Sequence, residues 1–206
     1  SYIEPNSKSN RGSQLFYLIL GGAIFVIFGK ALEIDINNIQ PLQIITYIFT
    51  ILYVSVLMII AGIDQKLLKI EKSVITAGII LSILYMIYMY VIETISLNTS
   101  IIYLGIYIIL IAIDTFIIKR YAKNSYTTGI LMLFNIMLIF TGIEVFTYTI
   151  VLTALEILVG LIISKIKQKK NGNKKIKLSN VPVGYFLCVS NLLAIVAISV
   201  MIVYIR

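Results

Sequence analysis

Histidine is absent from the 206 residues, and cysteine occurs once, at Cys188. The first absence removes His-based zinc ligation together with Ser-His-Asp and Cys-His catalysis. The second removes a disulfide framework and a thiolate metal site. Charge is also scarce. Only 13% of the residues are charged while 60% are hydrophobic, a balance that a water-soluble domain of this size has too little interior to hide. Walker and Rossmann glycine patterns are missing: the pair Gly21 and Gly22 lies inside an apolar run, where close helix packing accounts for it. The N-terminal SYIEPNSKSNRGSQ is polar and lacks the charged, apolar and cleavage regions of a signal peptide in their order.

What the chain has in abundance is long apolar runs. A hydrocarbon core about 30 Å thick needs about 20 mostly apolar residues per helical crossing, and shorter runs serve when flanking side chains snorkel. About seven runs meet this requirement: 15–29, 42–63, 73–92, 101–118, 127–141, 145–163 and 181–204. They are continuous rather than alternating at period two, which excludes a lipid-facing barrel. The expectation is an all-α polytopic membrane bundle. A polar cytoplasmic stretch at 1–14 precedes a single membrane domain at 15–206, which carries a basic cytoplasmic loop at 164–180.

The basic residues orient that bundle. With the N-terminus cytoplasmic, only Lys30 and Arg206 of the 17 Lys and Arg residues fall on the outer side, as the positive-inside rule requires. Glu33, Asp35, Glu93 and Glu144 then lie outside. The net charge of +8 does not mark a nucleic-acid binder, because its carriers sit in membrane-proximal loops that meet anionic headgroups. The densest cluster, KIKQKKNGNKKIK at 165–177, reads as a solvated loop turning at NGN.

Carboxylates are the remaining chemistry. Of the nine Asp and Glu residues, Asp64, Asp114 and Glu156 fall within or at the edge of apolar runs. An ionisable group at membrane depth costs roughly 2.5 to 3.5 kcal/mol on insertion scales, so each is a functional candidate. Asp64 ends the second run and Asp114 lies near the end of the fourth, at similar depth on the inner side. Glu156 is deeper, roughly 13 Å from Lys165 along a helix. The structural alternatives are a helix-end ion pair of Asp64 with Lys66, a pairing of Asp114 with Lys119 or Arg120, and a neutral, hydrogen-bonded Glu156.

The stretch AGIDQKLLKIEKSVITAGIILSIL resembles the first aspartate region of type IV prepilin leader peptidases, membrane aspartyl proteases that cut prepilins at the cytoplasmic face. Members of that family carry an Asp at a helix end and then an Ile-Pro-Asn or Ile-Pro-Asp turn. Asp64 matches the Asp, and Ile70, Glu71 and Lys72 stand at the turn without its proline. Three more stretches agree in order. SNRGSQLFYLILGGAIFVIFG is similar to the family's Arg-Tyr-Pro-Leu-Val-Glu-Leu lead into a helix. ALEILVGLIISKIKQKK is similar to its small-residue helix before a basic loop. NVPVGYFLCVSNLLAI is similar to its Ile-Pro-Phe-Gly-Pro-Phe helix start, retaining Pro182, Gly184 and Phe186. The family's first helix and its cysteine-bearing segment, associated with N-methylation, have no counterpart among these residues.

The chief departure is at the second catalytic position. The family's Gly-x-Gly-Asp-x-Lys motif corresponds to YTTGILML at 126–133, with Gly129 on or beside the aspartate position and Leu131 on or beside the lysine. An aspartyl protease divides its work between two close carboxyls sharing a proton. Asp64 alone cannot do both, and Asp114 is the substitute on the compatible side; Glu144 is expected a membrane thickness away. The resemblance implies an endopeptidase of the bacterial inner membrane that acts on pilin-like substrates and needs no metal or organic cofactor, with Asp64 one half of the catalytic pair; Asp114, chosen by side and depth rather than by the resemblance, is the substitute for the other half. The alternative is an inactive relative that binds pilin-like helices or scaffolds their assembly. A third class, a small proton-coupled transporter relaying through Asp64, Asp114 and Glu156, requires a polar path to which the outer helix halves contribute only scattered Tyr, Ser and Thr.

Overall fold

The structure is a computed structural model that describes residues 15, 19, 21–23, 26, 41–113, 116, 125–171 and 181–205. Away from water a backbone must close its hydrogen bonds within its own segment, and the apolar runs do so as helices. Among the described residues these are α1 (Pro41–Leu67), α2 (Lys72–Val91), α3 (Leu97–Ala112), α4 (Ser125–Asn171) and α5 (Val183–Ile205), with no strand. Four of them, α1, α2, α4 and α5, are long and apolar enough to cross a membrane, which suggests a membrane protein; α3 is a shorter apolar helix.

Local chemistry sets several helix ends. Pro41 opens α1, where its missing N–H costs nothing and its fixed φ already suits a helix. Leu68, at φ 49°, breaks α1 while its N–H still reaches the Asp64 carbonyl at 3.0 Å. Ser96 caps α3 by accepting the Thr99 N–H at 3.2 Å.

The fifth and sixth apolar runs are one helical element, α4, that reverses at Gly142. That residue has φ 71° and ψ 173°, a left-handed setting open to glycine at no steric cost. Phe134 and Phe146 stand on either side with ring centroids 5.8 Å apart, where an unbroken helix would separate them by about 18 Å. Tyr126 reaches Gly184 while Gly160 lies beside Phe186, so both ends of the hairpin meet the start of α5. The first arm, 125–141, and the second, 143–171, are therefore antiparallel. The second arm also runs on to Asn171, into the basic loop expected from residue 164.

α5 lies at the centre, packed on α4 and α1; α2 packs on α4 and α1, and α3 lies at the margin against α4. Leu57 and Ile60 of α1, Leu133, Ile136 and Met137 of α4, and Leu187 and Leu192 of α5 fill the core. Gly78 lets α2 approach, since a Cβ there would fall 2.8 Å from Ile136 Cδ1. Gly21 of the first run is helical and packs against Met58 of α1. The outer faces are apolar, as hydrocarbon surroundings demand: no described residue of α3 is buried. Helix ends segregate in space. Asp64, Ile70, Tyr126 and Gly184 share one end of the bundle, while Thr46 meets Tyr88, and Tyr103 meets Gly142, at the other.

Candidate functional site

Asp64 sits in the last turn of α1 with none of its surface exposed. Its Oδ2 accepts the Tyr185 N–H at 2.8 Å and the Tyr126 hydroxyl at 3.0 Å, and the Tyr126 oxygen in turn accepts the Gly184 N–H at 3.3 Å. These two amides belong to the first turn of α5, whose leading N–H groups have no partner within their own helix. The rest of that turn is closed locally: Val183 N–H donates to the Val181 carbonyl at 2.9 Å and Phe186 N–H to the Pro182 carbonyl at 3.3 Å. Asp64 and Tyr126 thus cap α5 from two other helices, and a carboxyl is favoured there because a helix N-terminus attracts negative charge.

The approach depends on a missing side chain. A Cβ on Gly184 would stand 3.0 Å from Asp64 Oδ2 and 3.3 Å from Ile70 Cδ1. Ile70 is buried and wedges between α5 and α4, because a Cβ on Gly129 would fall only 2.8 Å from the Ile70 Cβ. Gly129, the position on or beside the expected second aspartate, is therefore packed shut by an isoleucine. The neighbour that reaches Asp64 from α4 is Tyr126, one turn earlier.

Neither hydrogen-bond partner of Asp64 is acidic, and its Oδ1 is buried without any partner. The alternative pairing of Asp64 with a lysine is not formed among the described residues; the ion pair at this end joins Lys69 to Glu71 at 2.9 Å on the exposed turn. Asp114 lies outside the described residues. Glu144 is exposed two residues past the Gly142 reversal, at the opposite end from Asp64, as the sequence placed it. Glu156 lies on the second arm of α4, beside Ser190 and Tyr185 of α5. Among the described residues, no group of three or more His, Cys, Asp or Glu side chains forms a metal site.

A second polar cluster lies deeper. Tyr53 donates to Asn191 Oδ1 at 2.7 Å, Asn191 Nδ2 donates to Thr149 Oγ1 at 2.9 Å, and Thr149 returns its proton to the Val145 carbonyl at 2.8 Å. This chain ties α1, α5 and the second arm of α4 together where no water competes, and Cys188 lies buried within electrostatic reach of both Tyr53 and Asp64. Sequence reading missed Tyr126 and this triad. Their signal was a polar residue inside an apolar run, visible for Asn191 and Thr149 but shared with many serines and threonines that bond only to their own helix.

As chemistry, the Asp64 site is one carboxyl held by a phenol and a backbone amide. It is an acceptor tied into the fold, and no described group stands ready to share its proton. Comparison with protein-family models, with curated proteins and with solved structures gives no match.

Proposed function

We propose that this chain is a non-hydrolysing relative of the type IV prepilin leader peptidases, a bundle of about seven crossings that binds pilin-like helices as a membrane scaffold. The observation that carries this reading is the engagement of Asp64 Oδ2 by Tyr126 and the Tyr185 N–H, beside a Gly129 position filled by Ile70. An aspartyl protease divides its work between two close carboxyls that share a proton, and the groups bonded to Asp64 are a phenol and a backbone amide. The family assignment rests on the ordered motifs around Asp64, Gly184 and Phe186. The basic-residue distribution supports a cytoplasmic N-terminus, and the family points to a bacterial inner membrane.

One observation favours a second reading. Asp64 Oδ1 is a buried oxygen with no donor, and the shared proton of a second carboxyl would satisfy it. On that reading Asp114 supplies the partner and the chain is an active endopeptidase. Co-expression with a prepilin decides between them. The scaffold reading expects no cleavage by the wild type or by Asp64→Asn, with the intact prepilin co-purifying with both. Cleavage by the wild type that disappears in both Asp64→Asn and Asp114→Asn would establish the peptidase instead.

A further inference from the structure

The turn that joins α1 to α2 combines charge, apolar surface and backbone strain between Lys66 and Lys72. Lys66, Lys69 and Lys72 are all exposed. Glu71 is the acidic residue of the turn, and it pairs with Lys69 at 2.9 Å. Three lysines against one glutamate leave a net charge of +2, and Lys66 and Lys72 have no acidic partner among the described residues. Between the lysines stand two exposed leucines, Leu67 at 55% and Leu68 at 38% of their full surface.

Leu68 occupies a setting that its side chain disfavours. Its φ of 49° is the left-handed conformation that closes many helices, where glycine or asparagine is usual because a Cβ crowds the next carbonyl oxygen. Packing within the protein could offset that strain, but Leu68 is exposed and stands outside the core. The flanking helices are the two apolar spans Pro41–Leu67 and Lys72–Val91, so in a bilayer the turn falls where hydrocarbon gives way to headgroups. Leucines at that level meet acyl chains, while lysine stems carry their charges out to the phosphates. The second arm of α4 brings further basic residues to this end: its helix passes Ile162, the last residue of its apolar span, and continues to Asn171 through Lys165, Lys167, Lys169 and Lys170.

We propose that the 66–72 turn is a binding site for anionic phospholipid, with Lys66 and Lys72 on the headgroup phosphates and Leu67 and Leu68 seated among the first acyl carbons. Charge complementarity selects the occupant, since a zwitterionic headgroup carries no net charge for the unpaired lysines to meet. Insertion of Leu68 supplies, outside the protein, the apolar contact that offsets its strained backbone. The site requires a chain that spans a bilayer and is independent of any relation to the prepilin peptidases.

The chain has no tryptophan, so a single introduced one reports on its own surroundings. Ser73→Trp, at an exposed position next to Lys72, places the reporter at the site. The full chain is reconstituted in mixed phosphatidylcholine and phosphatidylglycerol bilayers in which one lipid at a time carries brominated acyl chains, and quenching gives their relative affinity at the reporter. Phosphatidylglycerol is expected to be favoured about fivefold, the scale of one lysine at an anionic surface. Asn98→Trp, exposed in the first turn of α3 at the opposite end of the bundle, should show no preference. With the Ser73→Trp reporter, Lys66→Gln combined with Lys72→Gln should abolish the preference, and Glu71→Gln, which frees Lys69, should strengthen it. Leu68→Trp as the sole change should be quenched by the acyl-chain bromines. The site is overturned by no preference at Ser73→Trp, by an equal preference at Asn98→Trp, by a preference that survives the loss of both lysines, or by a Leu68→Trp chain that escapes quenching. If the double lysine variant fails to fold, Glu71→Gln decides, because an unchanged or weakened preference there also overturns it.

Discussion

Replacing Asp64 with alanine takes the acceptor from two donors at once. The Tyr185 N–H and the Tyr126 hydroxyl bond to the same oxygen in a site closed to water, so both are left unmatched. A buried donor without a partner costs about 1 to 3 kcal/mol, or about 2 to 6 kcal/mol for the two. The change also removes Oδ1, a buried acceptor that already lacks a partner, and so returns about 1 to 3 kcal/mol. The net expectation is a loss of about 1 to 3 kcal/mol, against under about 1 kcal/mol for Asp64→Asn, which keeps an acceptor oxygen in place. Reversible unfolding in mixed detergent and lipid micelles measures the order: wild type, then Asp64→Asn, then Asp64→Ala. Hydrogen exchange adds a local readout, because the amides of 184–187 should exchange faster in Asp64→Ala while those of the middle of α2 stay unchanged. A catalytic carboxyl behaves differently, since removing a functional group commonly leaves stability level or improved. Asp64→Ala as stable as the wild type, with unchanged exchange at 184–187, would refute the capping role.

Two further substitutions probe the same architecture. Gly129→Asp places a carboxylate at the position that the proposed resemblance to the prepilin peptidases gives to an aspartate, yet its Cβ would press on Ile70, so a loss of about 1 to 3 kcal/mol in the same unfolding assay is expected without prepilin cleavage. Combining it with Ile70→Ala should recover part of that loss; wild-type stability in Gly129→Asp alone would contradict the packing around Ile70. Asn191→Leu breaks its bonds to Tyr53 and Thr149, and at about 0.6 kcal/mol for each interhelical bond the loss should be near 1 kcal/mol. A more stable Asn191→Leu protein would show that the triad contributes specificity rather than stability.

Much of this protein was legible along the chain. Apolar composition dictated helices, because each helix closes its own backbone bonds and needs no information from elsewhere in the sequence. The reversal between the fifth and sixth runs was legible as well, although its sharpness at Gly142 was not. Asp64 stood out because a carboxyl at the end of an apolar run is costly wherever it lies. What that carboxyl meets was decided only in three dimensions: Tyr126 is 62 residues away and the Tyr185 amide 121. Hydropathy cannot specify such pairings, because one apolar helix face looks to lipid much like another. The choice is made by close contacts such as Gly184 against Asp64, Gly129 against Ile70 and Gly78 against Ile136, where the absence of a Cβ lets two helices meet.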